Sequence, residues 1–479
     1  MDTFFSILRF LGTLLEVILL FNILIVVHEL GHYWAAKWRG LKVEKFQIWF
    51  GPTIWKKTIN GVQWGLGSIP AGGFVALPQM APMDSIEGKT PKGNERKPLP
   101  PITPTDKIIV AFAGPLFSFL LAIFFALIVW KVGRPVHSTE ASTVIGHVSE
   151  EMPAHAAGIK VGDRVLSING TPIQSFFGLT NSIISSVALS ETDTLEVIVE
   201  RPGVAEPIKF NIAPQAAVKG GAFDRGSTRK LGIGPGWPTV VGAILPGSPA
   251  EKAGFKPGDR ILTVKGQPII IGQQLTSIAS ETPGQAVPVE IDRPGSGRLN
   301  LEVAAVKPVE PKEWKDGPTT GIQWKSEIAI VHQNPVEQLK KSALTIYTTL
   351  RALFSKDSDI SVKHLSGPIG IGGAFYDMLS IEHGWRLALW FAVVVNVNLA
   401  ILNLMPLPIL DGGHIVLALL EKIRGRAVSL KPLEYIQTGF ALLLLSFMFY
   451  VTIIDVGDRW RMNKEGKAPE PKIVFPEGN

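Results

Sequence analysis

The stretch FLGTLLEVILLFNILIVVHELGH, from Phe10 to His32, joins an apolar run to two histidines and a glutamate. The apolar part, which ends at Val27, is near the length that a helix needs to cross the hydrocarbon core of a bilayer. His28 and His32 stand four residues apart, so in a helix their imidazoles share one face, roughly 6 Å apart, and can hold one metal ion. Glu29 lies between them and can reach a water on that metal. The stretch predicts a hydrolytic metal site in a membrane.

Composition and charge indicate a chain that lies partly in lipid and partly in water. The 479 residues are 46% hydrophobic, with a mean hydropathy of +0.24, high for a soluble protein and low for a transporter. Three further apolar runs, at 108–132, 387–404 and 440–454, bring the expected number of spans to four. Despite a net charge of +6, the basic residues behind the first span and at 422–426 are typical of cytoplasmic flanks rather than of nucleic-acid binding. This topology places both termini and the segment 131–384 outside the cytoplasm.

A repeat occupies the outer segment. The sequence PAHAAGIKVGDRVL at 153–166 recurs 96 residues later as PAEKAGFKPGDRIL at 249–262. Over the 21 positions that begin at Pro153 and Pro249, 12 are identical. A period of this length fits two tandem globular domains rather than a solenoid. In each copy we expect a short helix that ends at glycine, a Gly-Asp turn and an alternating strand.

The repeated pattern closely resembles PDZ domains of the bacterial protease type, which are small β-rich modules with a peptide groove. The resemblance implies modules at 135–220 and 221–308, and a peptide such as an exposed C terminus adding as a strand beside Leu231-Gly232-Ile233-Gly234 of the second copy. Unused grooves, with the pair acting as a spacer or filter, are the alternative. After the modules, 335–354 predicts an amphipathic helix, either on the outer membrane surface or packed on the modules.

A third metal ligand is needed, because catalytic zinc usually has three protein ligands and leaves the fourth position to water. The segment NLMPLPILDGG, residues 403–413, places Asp411 at the end of the third span, on the same side as His28. A carboxylate near hydrocarbon is costly unless it is paired or coordinates a metal. The chain contains no cysteine, so thiolate ligands are excluded. We expect His28, His32 and Asp411 to bind Zn²⁺, with His414 in a supporting role.

The order of these motifs resembles the site-2 protease family of intramembrane zinc metalloproteases, over essentially the whole chain. The resemblance rests on His-Glu-x-x-His in a first span, tandem PDZ modules after a second, and Asn-x-x-Pro-x-Pro-x-x-Asp-Gly-Gly ending a third. It implies a zinc endopeptidase of the bacterial inner membrane, with Glu29 as general base and later proton donor, and with Asn403 holding the substrate backbone. The implied substrates span the membrane once: an anti-sigma factor of the sigma-E envelope stress response already cut outside, or remnant signal peptides. A membrane-anchored PDZ scaffold that binds misfolded envelope proteins without proteolysis is the alternative.

Two segments near the predicted site are read with the help of this resemblance. Residues 61–75 are apolar, rich in glycine and too irregular for a helix, which suggests strands folded against the membrane. In the family a re-entrant β-loop is thought to offer an edge to an extended substrate, so Gly65-Leu66-Gly67-Ser68-Ile69 are expected to bind it. A cytoplasmic hairpin is the alternative. The segment AGPLFS at 113–118 resembles the family's Ala-Gly-Pro-x-x-Asn, with Ser118 in place of asparagine, and its small residues favour close helix packing.

The sequence therefore predicts a polytopic α-helical membrane protein, with about four transmembrane helices and a membrane-associated β-loop, plus two β-rich periplasmic PDZ domains in tandem. The predicted regions, in chain order, are a first transmembrane helix at 1–37, a cytoplasmic or re-entrant β-loop region at 38–107, a second transmembrane helix at 108–132, PDZ domains at 135–220 and 221–308, a region with the amphipathic helix at 309–384, a third transmembrane helix at 385–410, a cytoplasmic loop at 411–433, a fourth transmembrane helix at 434–456 and a C-terminal tail at 457–479.

Overall fold

The computed structural model describes residues 2–80, 99, 101–218, 220–311, 317–426, 430–465 and 473–476. Parts of the predicted loop region (81–98) and of the predicted tail (466–472 and 477–479) lie outside these residues. The chain forms two compact units. The first unit comprises Met1–Arg134, His332–Ile346 and Ser366–Val456, and the second comprises Pro135–Val331, Tyr347–Leu365 and Gly457–Asn479.

Twelve α-helices lie in the described residues: α1 (Asp2–Trp38), α2 (Pro104–Val132), α3 (Ser138–Ala141), α4 (Pro153–Ala156), α5 (Ile183–Ala188), α6 (Pro249–Lys252), α7 (Gln273–Ser280), α8 (Pro335–Phe354), α9 (Pro368–Leu379), α10 (Gly384–Asn403), α11 (Asp411–Arg424) and α12 (Leu430–Glu465), with one 3₁₀ turn at Val362–His364. Among the same residues, the strands are β1 (Lys45–Ile59), β2 (Val62–Ala76), β3 (Arg134–His137), β4 (Ile145–Val148), β5 (Arg164–Ile168), β6 (Thr171–Pro172), β7 (Leu195–Glu200), β8 (Ile208–Ile212), β9 (Ile233–Pro235), β10 (Val241–Ile244), β11 (Arg260–Val264), β12 (Gln267–Pro268), β13 (Val287–Arg293), β14 (Gly297–Val303), β15 (Ile322–Trp324) and β16 (Ile328–Val331).

Four helices are long and apolar enough to cross a membrane, as the sequence predicts: α1, α2, α10 and α12. The second of these begins at a well-formed cap. The Thr103 hydroxyl accepts from the Asp106 N–H at 3.2 Å, the Asp106 carboxylate accepts from the Thr103 N–H at 2.9 Å, and Pro104 occupies the first helical position. Helices α1 and α2 approach closely, since a Cβ on Gly31 would lie 2.4 Å from the Ala113 carbonyl oxygen. Ala113 and Gly114 of the AGPLFS segment therefore serve close packing, as predicted.

The β-loop between α1 and α2 is a folded sheet whose two outer segments are 73–76 and 55–58. Strands β1 and β2 turn at Asn60 and Gly61, which both have positive φ, as a two-residue hairpin requires. The β1 segment 45–48 then pairs on one side with 63–66 and on the other with 73–76. Segment 63–66 is therefore paired along both sides, because the outer part of β1 covers its second side. Among the described residues, no further strand pairs with 73–76.

The second unit contains two modules of the same topology. The four-stranded sheets have the orders β6-β5-β7-β8 and β12-β11-β13-β14, and each is accompanied by a two-stranded pair, β4-β9 in one module and β10-β15 in the other. Each core also contains a matching ion pair. Arg201 contacts the buried Asp163 at 2.7 Å, and Arg293 contacts the buried Asp259 at 2.8 Å. The hydrogen bonds that the two arginines donate to these carboxylates raise the pKa of both guanidinium groups.

The predicted boundary between the modules requires correction. Leu231 is 3% exposed and packs in the core of the first module, and Ile233 pairs with Val148 of β4. The segment Leu231–Gly234 thus belongs to the first copy, not the second. Its counterpart in the second module is at 320–323, since Ile322 lies in that core and pairs with Ile244. Each module takes its last strand from residues after its four-stranded sheet, so the divisions at 220/221 and at 308 both fall too early.

Three predicted boundaries near the helices also change. The third spanning helix ends at Asn403 rather than at 410, and much of the predicted cytoplasmic loop 411–433 is the helix α11. The fourth spanning helix continues to Glu465, past its predicted end at 456. The amphipathic helix predicted at 335–354 is confirmed as α8, with matching bounds. Its first half lies with the spanning helices, because Gln338 is 3% exposed and donates to the Ala126 carbonyl oxygen at 3.2 Å.

Candidate active site

Three predicted ligand side chains meet in the first unit. The Nε2 atoms of His28 and His32 lie 3.3 Å apart. The Asp411 carboxylate approaches both, with Oδ2 3.3 Å from His28 Nε2 and Oδ1 3.3 Å from His32 Nε2. Among the described residues, these form a cluster of potential metal ligands whose donor atoms all lie within 4.8 Å of one another. Residues that are 379 positions apart in the chain thus converge, as the sequence predicts.

The donor set fits zinc. Ligand atoms placed about 2.0–2.2 Å from a tetrahedral zinc lie about 3.3–3.6 Å from one another, which is close to the 3.3 Å spacings of the three donors. Two imidazoles and one carboxylate leave the fourth tetrahedral position to water or substrate. The wall beside the donors is a glycine, and a Cβ on Gly114 would lie 2.2 Å from His32 Nε2 and 2.8 Å from His28 Nε2. A side chain there would occupy the space that the metal requires.

Helix α2 orients both histidines through their other ring nitrogens. His32 Nδ1–H donates to the Val110 carbonyl oxygen at 2.8 Å, and because a carbonyl can only accept, this bond leaves Nε2 free to bind metal. His28 Nδ1 lies 2.9 Å from the hydroxyl of Ser118, which is fully buried. Sequence reasoning missed Val110, because a backbone carbonyl leaves no signal in the side-chain pattern. It treated Ser118 as a packing residue, although the match to the family's asparagine was a usable signal.

Asp411 is positioned by a tight reversal between α10 and α11. Pro406 and Pro408 interrupt the helical path after Asn403, and Asp411 is the first residue of α11. The two glycines that follow allow the new helix to start directly against the reversal. A Cβ on Gly412 would lie 2.3 Å from the Leu404 carbonyl oxygen, and one on Gly413 would lie 2.1 Å from that of Leu407. The Asp-Gly-Gly motif is therefore a packing requirement as well as the source of a carboxylate.

The cluster opens into a cavity of about 390 Å³ in the first unit. Its polar lining includes Glu29, Asn403 and His414, beside the three clustered residues. Glu29 follows His28 on the same helix, and a Cβ on Gly73 would lie 3.3 Å from its Cγ. His414 lines the cavity without joining the donor cluster, which agrees with its expected supporting role.

The part of the β-loop that lines the cavity differs from the predicted part. Residues 72–75 of β2 line the cavity, whereas Gly65 to Ile69 do not. Gly65 and Leu66 are instead paired on both sides inside the sheet. The reason is the order of strands. After the hairpin, the chain continues to 73–76, which pairs with the other side of 45–48 and lies next to α1.

This arrangement has the parts that metal-assisted hydrolysis needs. Three ligands leave an open coordination position, a carboxylate lies within the same cavity, and the wall offers an outer strand of the β-loop sheet and an amide side chain. Bound zinc would supply Lewis acidity, which acidifies water and polarises a peptide carbonyl.

Comparison with known proteins agrees with this chemistry. Residues 16–446 match the family described as Peptidase family M50. The Neisseria meningitidis protein named "Putative zinc metalloprotease NMA0084" is 29% identical over 92% of this chain and 98% of its own length. The Escherichia coli protein named Regulator of sigma-E protease RseP is 28% identical over 92% and 97%, and Protease RseP of Yersinia pestis is 29% identical over 91% and 97%. Because the family match covers most of the chain, the protein belongs to peptidase family M50, the site-2 protease family, and is a zinc metalloprotease.

Proposed function

We propose that this protein is an intramembrane endopeptidase that cuts single-span membrane proteins after an earlier cut outside the membrane. The observation that carries the proposal is the convergence of His28, His32, Asp411 and Glu29 on one cavity between helices of membrane-spanning length. In this proposal the first three residues hold zinc, and the membrane itself delivers the substrate.

The substrate would bind as an extended strand. An intact transmembrane helix hides its peptide bonds, so the segment to be cut must unwind before water can attack it. The edge at 73–76, with which no further strand pairs among the described residues, can pair with such a segment through backbone hydrogen bonds. Asn403, at the end of α10, also lines the cavity and offers an amide that can hold the backbone of the strand near the donors. Residues 72–75 therefore replace Gly65–Ile69 as the proposed substrate contacts of the loop.

Glu29 would act first as the general base and then as the general acid. It accepts a proton from the attacking water, and the water oxygen then forms a bond to the scissile carbonyl carbon. The same carboxyl group later delivers the proton to the leaving nitrogen as the C–N bond breaks, so one residue serves in turn as base and acid. His28 and His32 remain neutral ligands, held by their contacts with Ser118 and Val110.

The relatives suggest the biological setting. Two of them carry names that refer to RseP, one of them as a regulator of sigma-E, so the proposed substrate class is an anti-sigma factor of an envelope stress response, with remnant signal peptides as a second class. The basic flanks of the spans support a position of the active site near the cytoplasmic face of the inner membrane, with both modules in the periplasm. There the modules, similar to PDZ domains, would exclude substrates that have not yet been cut outside, by binding a new C terminus or by their bulk.

The proposed reaction is tested with a tagged single-span peptide in detergent or proteoliposomes. Wild-type protein should cut it within the membrane segment, and Glu29→Gln should not, because the amide cannot accept the proton. Zinc content and thermal unfolding of the variant should match those of the wild type. Retained cleavage by Glu29→Gln would remove Glu29 from the mechanism, and an inactive wild type that contains zinc would contradict the assigned substrate class.

The filter role needs a clean deletion, and the structure shows where to make it. Strands β3 and β16 pair, and Ser138 N–H donates to the Glu327 carbonyl oxygen at 2.9 Å, so the two ends of the inserted modules lie side by side. Replacing 139–326 with a short glycine linker should preserve the site and allow cleavage of a substrate that still carries its outer domain. Continued rejection of that substrate, with normal cleavage of the trimmed one, would refute the filter role.

A further inference from the structure

The last described residues of the chain pair with the second module. Val309 N–H donates to the Val474 carbonyl oxygen at 2.8 Å, and Val474 N–H donates to the Glu310 carbonyl oxygen at 3.1 Å. These reciprocal bonds make a short antiparallel bridge between residues 309–310 and the C-terminal segment Ile473–Pro476. Both partners belong to the second unit. The contact is the kind of backbone pairing by which modules take up extended peptides.

A side chain of the same segment fills a specific place. Phe475 is 6% exposed, although it lies four residues from the end of the sequence. A Cβ on Gly321 would lie 3.2 Å from the Phe475 ring, so the ring rests on the turn that leads into β15. Phe475 and Pro476 also form one wall of a cavity, whose other walls include Pro249, Ala253 and Val306. Lys252 Nζ is 3.5 Å from the Pro476 carbonyl oxygen, the last contact of the segment.

The backbone pairing and the buried aromatic ring together are typical of a bound peptide. A backbone edge gives affinity for any extended chain, and a pocket that buries one aromatic side chain gives selectivity. Pro476, directly after the buried ring, is exposed and has no N–H to pair. The backbone of the segment pairs with residues 309–310, whereas the ring rests on Gly321 of 320–323, the second module's counterpart of Leu231–Gly234.

We propose that residues 309–310, with the pocket around Phe475, form a second peptide-binding site that the chain's own C-terminal segment occupies. Its ligand class is an extended peptide with an aromatic residue, and the tail is a tethered competitor for that ligand. Because tethering supplies an effective concentration of about millimolar, a free peptide of micromolar affinity binds the intact chain at least about tenfold more weakly than a chain without its tail. The proposal does not depend on the proteolytic activity.

The test uses a fluorescein-labelled peptide of residues 470–479, EPKIVFPEGN, and measures fluorescence anisotropy with purified protein in detergent. The peptide should bind a chain that ends at Glu465 and should bind the intact chain at least about tenfold more weakly. A Phe475→Ala peptide should lose binding. Equal affinity for the intact and shortened chains, no binding to the shortened chain, or equal binding of the Phe475→Ala peptide would each overturn the proposal.

Two further variants, one in the intact chain and one in the shortened chain, separate release of the tail from other effects of truncation. Phe475→Ala in the intact chain should release the tail, so the wild-type peptide should then bind about as tightly as it binds the shortened chain. Val309→Pro removes the N–H that pairs with Val474 and should abolish peptide binding when combined with the truncation. Unchanged amide hydrogen exchange of β11 in the second module confirms the fold of each variant. Peptide binding that survives Val309→Pro would show that the peptide binds elsewhere.

Discussion

Removal of the Ser118 hydroxyl is the sharpest test of how the metal site is held. Ser118 is fully buried, and its hydroxyl contacts His28 Nδ1 at 2.9 Å. In Ser118→Ala the His28 imidazole loses the hydrogen bond of its Nδ1 atom at a buried position. An unsatisfied buried polar group costs about 1–3 kcal/mol. Loss of such a supporting hydrogen bond typically weakens metal binding by about 10–100-fold, or about 1.4–2.8 kcal/mol, so the two estimates agree.

The assay is competition for zinc between the purified protein and a chelator of known affinity. Ser118→Thr, which keeps a hydroxyl, should restore most of the affinity. Ser342→Ala is the matched control, because Ser342 is 2% exposed and its hydroxyl donates at 2.8 Å to the Gln338 carbonyl oxygen within its own helix. The reasoning is refuted if Ser118→Ala binds zinc within twofold of wild type, or if Ser342→Ala weakens binding as much.

Three further predictions address the site and its surroundings. Gly114→Ala should abolish zinc binding and cleavage, since the new Cβ would lie 2.2 Å from His32 Nε2. The control Gly457→Ala should leave both unchanged, because no atom lies within 4 Å of the Cβ added to this helical glycine. Asp259→Asn should destabilise the second module by about 3 kcal/mol or more, because the Arg293 guanidinium then lacks its carboxylate partner. The control Glu290→Gln, at the exposed pair with Arg298, should destabilise it by less than about 1 kcal/mol. Amide hydrogen exchange of β11 measures both changes. Zinc at 100 times its dissociation constant should stabilise the folded protein by about 2.7 kcal/mol, seen as a higher unfolding temperature that a chelator reverses and that His28→Ala does not show.

The metal cluster could be predicted from the sequence because each member has a local reason to be noticed. His28 and His32 share a helix face by spacing alone, and Asp411 is a carboxylate next to an apolar span. The carbonyl of Val110 gives no such signal, since any residue at that position would offer it. The hydroxyl of Ser118 acquires its meaning only from the approach of α2 to α1, which Gly31 and Gly114 permit.

The errors of the sequence analysis have a common physical cause. The strand at 233–235 lies just before the second repeat copy, and a repeat pattern cannot tell whether such a strand closes the preceding core or opens the next one. Only its pairing with β4, about 90 residues earlier, decides this. The glycines at 65 and 67 marked the loop as irregular, but which segment keeps a free edge depends on the path of the return strand. Pairings between distant segments are therefore what the local pattern lacks.

The reversal between α10 and α11 has a consequence for how the protein can be handled. It brings a ligand from residue 411 to the ligands at 28 and 32, so the catalytic cluster joins the early and late parts of the chain. The modules that lie between them in sequence contribute none of the clustered donor atoms. A chain expressed as two co-inserted fragments, divided at Gly203 in an exposed turn, should therefore reassemble into an active enzyme. Zinc would stabilise the assembly, because each fragment supplies at least one of its ligands.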